Sequence, residues 1–481
     1  MSTLKKNFII GFIWSFIGQI SYLIIALVTN IILARILSPY EFGQVGIVMF
    51  FILISKVLTE SGLTGALVRK KEVSEEDFST VFVFNLVISV VLFIILLLFS
   101  GIIADFYNNK LLQNVLIALS SVLIINAFQF TQNAKIIRDL KFKKQSIYTL
   151  VSVIISSVIG IVLAFLKYGV WALVIMQISN AFILTLIYWV FEEPTKSFVF
   201  NKNSFKYLYK FGINTTFASM INSISDNIYN LILGKYFSIH YTGLYYQAKK
   251  LQEIPVGIVK SSTLGVVFST LSKLQDNRVE FGRFYVRIAT IFTTIVGLIC
   301  LLVFFYAEQS ILLLYGGKWI KAAFFVKILI LASYFYMQEM LNRVLFKVFD
   351  KTDKILYLEI IKSVIQLISV IVGVILLDLK VLLYGFLITS IISYFFNYYF
   401  SRSIYGNFSW MEVITVLKVI TIAIFLNYTL TKIAKILNLC GYELFYVLPF
   451  LIILYFILTK ICHVVDIISE TKIILKQIKK K

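Results

Sequence analysis

The sequence predicts an all-α integral membrane protein of about 14 transmembrane helices, built as two parallel six-helix lobes with two extra C-terminal helices. Three observations predict it. The chain is 60% hydrophobic with a mean hydropathy of +0.91, whereas soluble domains are roughly 45 to 50% apolar. Its apolar runs are long enough to cross a bilayer, and its basic residues fall in every second loop. A stretch near the amino terminus also returns 200 residues later.

Counting apolar runs of roughly 18 to 27 residues as spans, the first half gives Phe8 to Leu33, Phe42 to Leu67, Phe78 to Ala104, Leu111 to Ala134, Ile147 to Leu166 and Val170 to Phe191. A polar linker with Pro194 and alternating lysines runs from Glu192 to Lys210. The second half gives Phe211 to Leu233, Gly243 to Leu271, Ile288 to Leu313, Ala322 to Phe346, Ile355 to Leu377 and Val381 to Phe400. Val413 to Leu430 and Leu444 to Ile461 lie outside the repeat. The expected organisation is an N-lobe over 1–196 (helices 1 to 6), a C-lobe over 197–406 (helices 7 to 12), helices 13 and 14 over 407–462, and a basic tail over 463–481.

The repeat is clearest in Asn30-Ile-Ile-Leu-Ala-Arg-Ile-Leu-Ser-Pro-Tyr-Glu-Phe-Gly43 against Asn230-Leu-Ile-Leu-Gly-Lys-Tyr-Phe-Ser-Ile-His-Tyr-Thr-Gly243. In the first copy Ser38, Pro39 and Glu41 are placed as a helix cap, a first-turn residue and the partner of a capping box. One helix therefore ends near Arg35 and the next begins near Ser38. Asn133-Ala-Lys-Ile-Ile-Arg138 and Asn342-Arg-Val-Leu-Phe-Lys347 are a second matched pair, with Tyr148 and Tyr357 following at the same offset.

The net charge of +21, from 45 Lys and Arg against 24 Asp and Glu, sits between apolar spans and forms no continuous basic face, so nucleic acid is not the expected partner. Roughly 29 basic residues fall on the side of the amino terminus against about 9 on the other. Both termini are therefore expected in the cytoplasm, with the first span retained rather than cleaved as a signal peptide. The even number of spans per half makes the repeat parallel. Cys300, Cys440 and Cys462 lack paired spacing, and His240 and His463 are too few for a metal site. The tail from Ile467 to Lys481 suits either an interfacial helix on an anionic leaflet or a solubilising basic end.

Ionisable groups inside spans cost about 2.5 to 3.5 kcal/mol on insertion scales and usually face a wet cavity or each other. Lys56 and Glu60 lie one turn apart on the second span, and Glu339 and Arg343 on the tenth, where each could form an intrahelical pair. The eighth carries Lys249, Lys250, Glu253 and, after Pro255 and Gly257, Lys260. One glutamate does not neutralise three lysines. The seventh, from Asn214 to Asn230, is too polar to face lipid and includes Asp226. The second and eighth spans correspond under the repeat, which predicts a lumen that favours anions. Lys56, Lys249, Lys250, Lys260 and Arg343 are the candidate substrate-binding groups. Glu60, Asp226 and Glu339 are the candidates for a coupling H+ or Na+, with no other cofactor expected. There is no phosphate loop, nucleophile elbow or metal-ligand cluster, and Ser74 with Glu75-Glu76-Asp77 reads as a capping box. An enzyme is not expected.

The motifs Gly11-Phe-Ile-Trp-Ser-Phe16, Ile32 to Gly43, Ser61-Gly-Leu-Thr-Gly-Ala-Leu-Val-Arg-Lys70, Phe78-Ser-Thr-Val-Phe82, Gly169-Val-Trp-Ala-Leu173, Gly234-Lys-Tyr-Phe-Ser238, Leu271-Ser-Lys-Leu-Gln-Asp276 and Gly317-Lys-Trp319, in this order, resemble bacterial polysaccharide exporters. The resemblance covers roughly Leu4 to Gly406 and is to the O-antigen (lipopolysaccharide), colanic-acid and teichuronic-acid flippases of the multidrug, oligosaccharidyl-lipid and polysaccharide exporter superfamily. It implies two six-helix lobes in a V with two peripheral helices. It also implies a flippase moving an undecaprenyl-diphosphate oligosaccharide from the inner to the outer leaflet of the cytoplasmic membrane. Its expected partners are the lipid bilayer, that lipid-linked sugar, a polysaccharide polymerase and glycosyltransferases. No short binding motif carries over residue by residue. Three rivals stay open: a multidrug exporter of the same superfamily, a membrane polysaccharide polymerase or ligase, and a structural scaffold of the envelope.

Overall fold

Two helices meet where the capping chemistry places their ends: α1 (Ser2–Ile36) stops two residues before Ser38, and α2 (Pro39–Glu60) starts at the proline. Glu41 reaches back to the Ser38 backbone N–H at 2.6 Å, and the Ser38 hydroxyl donates to the same carboxylate at 2.9 Å. The second copy repeats the break at an offset of 200, with α9 (Lys202–Tyr236) ending and α10 (Ile239–Ser262) beginning. The computed structural model describes residues 2–60, 62–70, 72–193, 198–263, 267–405, 410–437 and 441–466. The tail from Ile467, Gly406, Cys440, Pro194 and the side chains of Asn214 and Thr215 lie outside the described residues.

Between the two copies run α3 (Leu63–Arg69), α4 (Glu75–Phe106), α5 (Leu111–Ala127), α6 (Phe130–Arg138), α7 (Phe142–Phe165) and α8 (Val170–Phe191). After α10 come α11 (Phe268–Ser272), α12 (Arg278–Phe305), α13 (Ala307–Leu314), α14 (Ala322–Val348), α15 (Thr352–Ile375), α16 (Leu379–Tyr405), α17 (Met411–Ile436) and α18 (Leu448–Ile461). Among the described residues there is no strand. Among the described residues, eleven segments are long and apolar enough to cross a membrane, or twelve if α5 and α6 form one bent span. The helices α9 and α10, counted from sequence as the seventh and eighth spans, are 35 and 24 residues long but too polar to belong to that set.

The predicted span Leu111 to Ala134 is not straight. It bends by 44° between α5 and α6, with neither proline nor glycine at the bend. The carbonyls freed there are satisfied from α8: Thr185 donates to the Ile125 oxygen at 3.1 Å and the Trp189 indole N–H to the Phe128 oxygen at 2.9 Å. The capping box of α4 forms as the spacing requires. Asp77 N–H donates to the Ser74 hydroxyl at 3.3 Å, Ser74 N–H donates to Asp77 at 3.0 Å, and Lys70 adds an ion pair at 2.6 Å. The linker is stapled to the same helix start, where Asn201 N–H donates to the Thr80 hydroxyl at 3.0 Å and Ser79 donates to the Val199 carbonyl at 2.8 Å.

The chain forms two compact units, residues 1–246 and 247–481. The boundary falls inside α10, because α9 packs against α2, α3 and α4 and the first turns of α10 pack against α2. In the second unit, α12, α14 and α17 enclose an apolar core of Val296, Cys300, Ile330, Tyr334, Met337 and Val419, among others. There α18 packs along α17, and its Tyr455 hydroxyl donates to the Thr294 carbonyl of α12 at 2.7 Å.

Candidate functional site

The intramembrane charges of the second unit assemble on three helices. On α14, Glu339 and Arg343 make the i,i+4 ion pair that their spacing allows, and both reach α15: Arg343 to Glu359 at 2.7 Å and Glu339 to Lys362 at 3.4 Å. Ser393 of α16 donates to Glu339 at 2.8 Å, and the Lys362 ammonium lies 4.6 Å from the Tyr336 ring centre. Glu339 is fully buried, so only this multiple pairing makes its charge tolerable. Lys347, one turn beyond Arg343, is exposed and lies within electrostatic range of both Arg343 and Lys260. Val259, beside Lys260, packs in the same core as Met337, which brings this part of α10 alongside α14. Arg343 and Lys362 meet the two carboxylates Glu339 and Glu359, and the exposed Lys260 and Lys347 lie beside them, so cations outnumber carboxylates in this cluster.

The other candidates fall out differently. Lys249 and Lys250 are half-buried on α10, and Lys260 is exposed. Lys56 and Glu60 are both exposed on α2, and no ion pair joins them. The opposite face of that turn is the buried one, where the Thr59 hydroxyl donates to the Ser55 carbonyl at 3.0 Å. Asp226 is exposed on α9, between buried Thr216 and Asn230.

A second network was not singled out in the sequence. Arg402 at the end of α16 pairs with Glu412 at the start of α17, both almost wholly buried. Asn342 donates to Glu412 at 2.9 Å, the Tyr285 hydroxyl of α12 bridges Asn342 and Glu412 at 3.2 and 3.3 Å, and Ser401 donates to Asn342 at 3.1 Å. The guanidinium also lies over the rings of Tyr285 and Tyr398, 4.6 and 5.2 Å from their centres. The pair of Arg402 with Glu412 ties the end of α16 to the start of α17, the first of the extra helices. Glu359 and Lys362 were missed too. The signal that selected Lys56 and Glu60, opposite charges within an apolar run, was equally present there.

A model of polysaccharide biosynthesis proteins matches residues 32–324, more than half of the chain. The chain belongs to that family. Within it, the chain is similar to the succinoglycan biosynthesis transport protein ExoT of Rhizobium meliloti (strain 1021), 24% identical over 309 residues, or 64% of this chain and 63% of that one. The lipopolysaccharide biosynthesis protein WzxC of Escherichia coli (strain K12) is 24% identical over 326 residues, covering 66% and 65%. The teichuronic acid biosynthesis protein TuaB of Bacillus subtilis (strain 168) is 21% identical over 329, covering 67% of each. The chain thus spans just under two-thirds of the length of the first two of these relatives. Among solved structures, the lipid II flippase MurJ in an inward closed conformation matches with a TM-score of 0.72 at 16% identity, covering 95% of this chain and 99% of that one. An inward-facing multidrug resistance MATE family transporter of the MOP superfamily matches at 0.63 and 15%, covering 80% and 94%. At these identities the likeness establishes the fold. This polysaccharide biosynthesis family member is a multi-pass helical membrane protein with the fold of these two structures.

Proposed function

We propose that the protein is a flippase that carries an undecaprenyl-diphosphate oligosaccharide from the cytoplasmic to the outer leaflet of the cell's cytoplasmic membrane by alternating access, and that it performs no covalent chemistry. The observation that supports this reading is the cluster of Lys260, Arg343, Lys347 and Lys362 on α10, α14 and α15 in a chain of a polysaccharide biosynthesis family that shares the fold of a lipid flippase. A diphosphate crossing a low-dielectric layer needs positive partners, and lysine and arginine supply them without a metal. Lys56, Lys249, Lys250, Lys260 and Arg343 are the groups proposed for the diphosphate, and Glu60, Asp226 or Glu339 for a coupling H+ or Na+. Arg343 enters this set already shared between two carboxylates, so an arriving diphosphate competes with Glu359 for it. The charge pattern of the loops supports cytoplasmic termini, and a polysaccharide polymerase and glycosyltransferases are the proposed pathway partners.

The same fold serves a multidrug transporter. Cationic drugs call for acidic lining groups, and the local excess here is of the opposite sign. The test is transport by a variant with Lys249, Lys250 and Lys260 all changed to glutamine. The proposal expects transport to fall at least tenfold with normal protein levels; unchanged transport sinks the assignment.

A further inference from the structure

The two copies of the repeated hairpin touch each other at their own glycines. A Cβ built on Gly43 of α2 would lie 1.9 Å from the Ile239 carbonyl oxygen and 3.0 Å from the Gly243 nitrogen. One built on Gly243 of α10 would lie 1.7 Å from the Pro39 oxygen and 2.9 Å from the Gly43 nitrogen. The contacts are reciprocal at the same offset of 200 that relates the sequences, Pro39 to Ile239 and Gly43 to Gly243. The axis of the repeat therefore runs between these glycines. Backbone meets backbone there, close enough for Cα–H to carbonyl contact. One turn on, a Cβ built on Gly46 would lie 3.3 and 3.4 Å from the Tyr246 and Thr242 side chains, and one built on Gly234 of α9 would lie 2.6 Å from the Ile47 side chain.

Two polar contacts at the same end join α9 to the end of α4. Lys235 donates to the carbonyl of Phe106, the last residue of α4, at 2.6 Å and lies 4.0 Å over the Phe106 ring centre. The Tyr107 hydroxyl donates to the Leu231 carbonyl at 3.3 Å. Burial pushes the Tyr107 phenol well above its ordinary pKa, which keeps it a donor. The Phe106 oxygen is an unpaired helix-end acceptor that water satisfies equally well when the lysine leaves. Such a seam closes by direct backbone contact.

We propose that this seam is the outer gate of the transporter, closed by direct contact of Gly43 with Gly243 and latched by Lys235 on the end of α4. The proposal rests on the transport reading and on the orientation given above, and it assigns to these residues control of whether the outer side is open. Any side chain at position 43 or 243 holds α2 and α10 apart and favours the open gate.

The test uses the full-length protein with Cys300, Cys440 and Cys462 changed to alanine and Thr242→Cys as reporter, since Thr242 is fully buried at the seam. A membrane-impermeant maleimide is applied to intact cells. The expected result is slow labelling with both glycines present and at least tenfold faster labelling in Gly43→Leu and in Gly243→Leu. Gly65→Leu, at a glycine with open space around it, leaves the rate unchanged. Unchanged labelling in folded Gly43→Leu and Gly243→Leu proteins overturns the proposal. If those variants do not fold, a Phe106→Cys, Lys235→Cys pair joined by a short bifunctional thiol reagent decides. The gate predicts that transport of lipid-linked oligosaccharide stops on bridging and returns with reductant, whereas bridged protein transporting at the unbridged rate overturns it. Labelling requires no substrate, so labelling as expected in a protein that transports no such lipid supports the gate and removes the flippase reading.

Discussion

Removing the charge of Glu412 tests the joint between α16 and α17. The carboxylate holds three groups: the buried Arg402 guanidinium, the Asn342 amide at 2.9 Å and the Tyr285 hydroxyl at 3.3 Å. In Glu412→Gln the Arg402 charge is left without its counter-ion, and stripping one partner from a buried pair costs about 3 to 5 kcal/mol. The Tyr285 and Tyr398 rings lie beneath the guanidinium in parent and variant alike, so their cation–π contact does not change the difference. A loss of about 3 to 5 kcal/mol is therefore expected for Glu412→Gln. Glu412→Leu also takes the acceptor at 2.9 Å from the Asn342 amide, adding about 1 to 3 kcal/mol, while the Tyr285 hydroxyl keeps the Asn342 oxygen. Changing both partners, Arg402→Met with Glu412→Leu, removes the charge problem and restores much of the loss, because apolar replacements of whole ion pairs are often neutral. Denaturant unfolding in a fixed detergent, read as a double-mutant cycle, measures all three. A Glu412→Gln protein within about 0.5 kcal/mol of the parent, or a double variant worse than the sum of the singles, refutes the reasoning.

Other substitutions test local structure. Gly169 has φ +58° and its added Cβ would lie 2.7 Å from the Glu41 carboxylate that holds Ser38, so Gly169→Ala should cost about 1 to 3 kcal/mol in the same unfolding assay. Ser74→Ala loses half of the α4 capping box and should cost about 1 kcal/mol, with the Lys70 pair to Asp77 retained. Trp189→Phe leaves the Phe128 carbonyl at the α5–α6 bend without its donor and should lower stability by about 1 to 3 kcal/mol, whereas Trp189→His, which keeps a ring N–H, should lose less.

Much of the fold is legible because a bilayer forces apolar runs of fixed length and a duplicated chain repeats its breaks. Ser38 with Pro39, and the same register at Ser238, mark both ends of both hairpins to the residue. The α4 capping box is local chemistry within four residues and reads directly. What the sequence hides is which helix faces which. Lys56 and Glu60 have the spacing of a pair and do not form one, since both sit on an exposed face where nothing compels it. Glu339 and Arg343 have the same spacing, but the burial of Glu339 compels pairing, and the further partners Glu359 and Lys362 come from another helix. The bend at Phe128 has no breaker residue, and its cause, Thr185 and Trp189, lies some 60 residues away in the chain. The contact of Gly43 with Gly243 follows from the repeat only once the two copies are known to meet.

The central claim, translocation of a lipid-linked oligosaccharide, is tested most directly by deleting the gene in its host and asking on which face of the membrane undecaprenyl-diphosphate oligosaccharide collects. A membrane-impermeant glycosidase or lectin makes the measurement. The account predicts accumulation on the cytoplasmic face only, reversed by the wild-type gene and not by the triple glutamine variant of Lys249, Lys250 and Lys260. Accumulation on the outer face would place the protein after translocation and contradict the account.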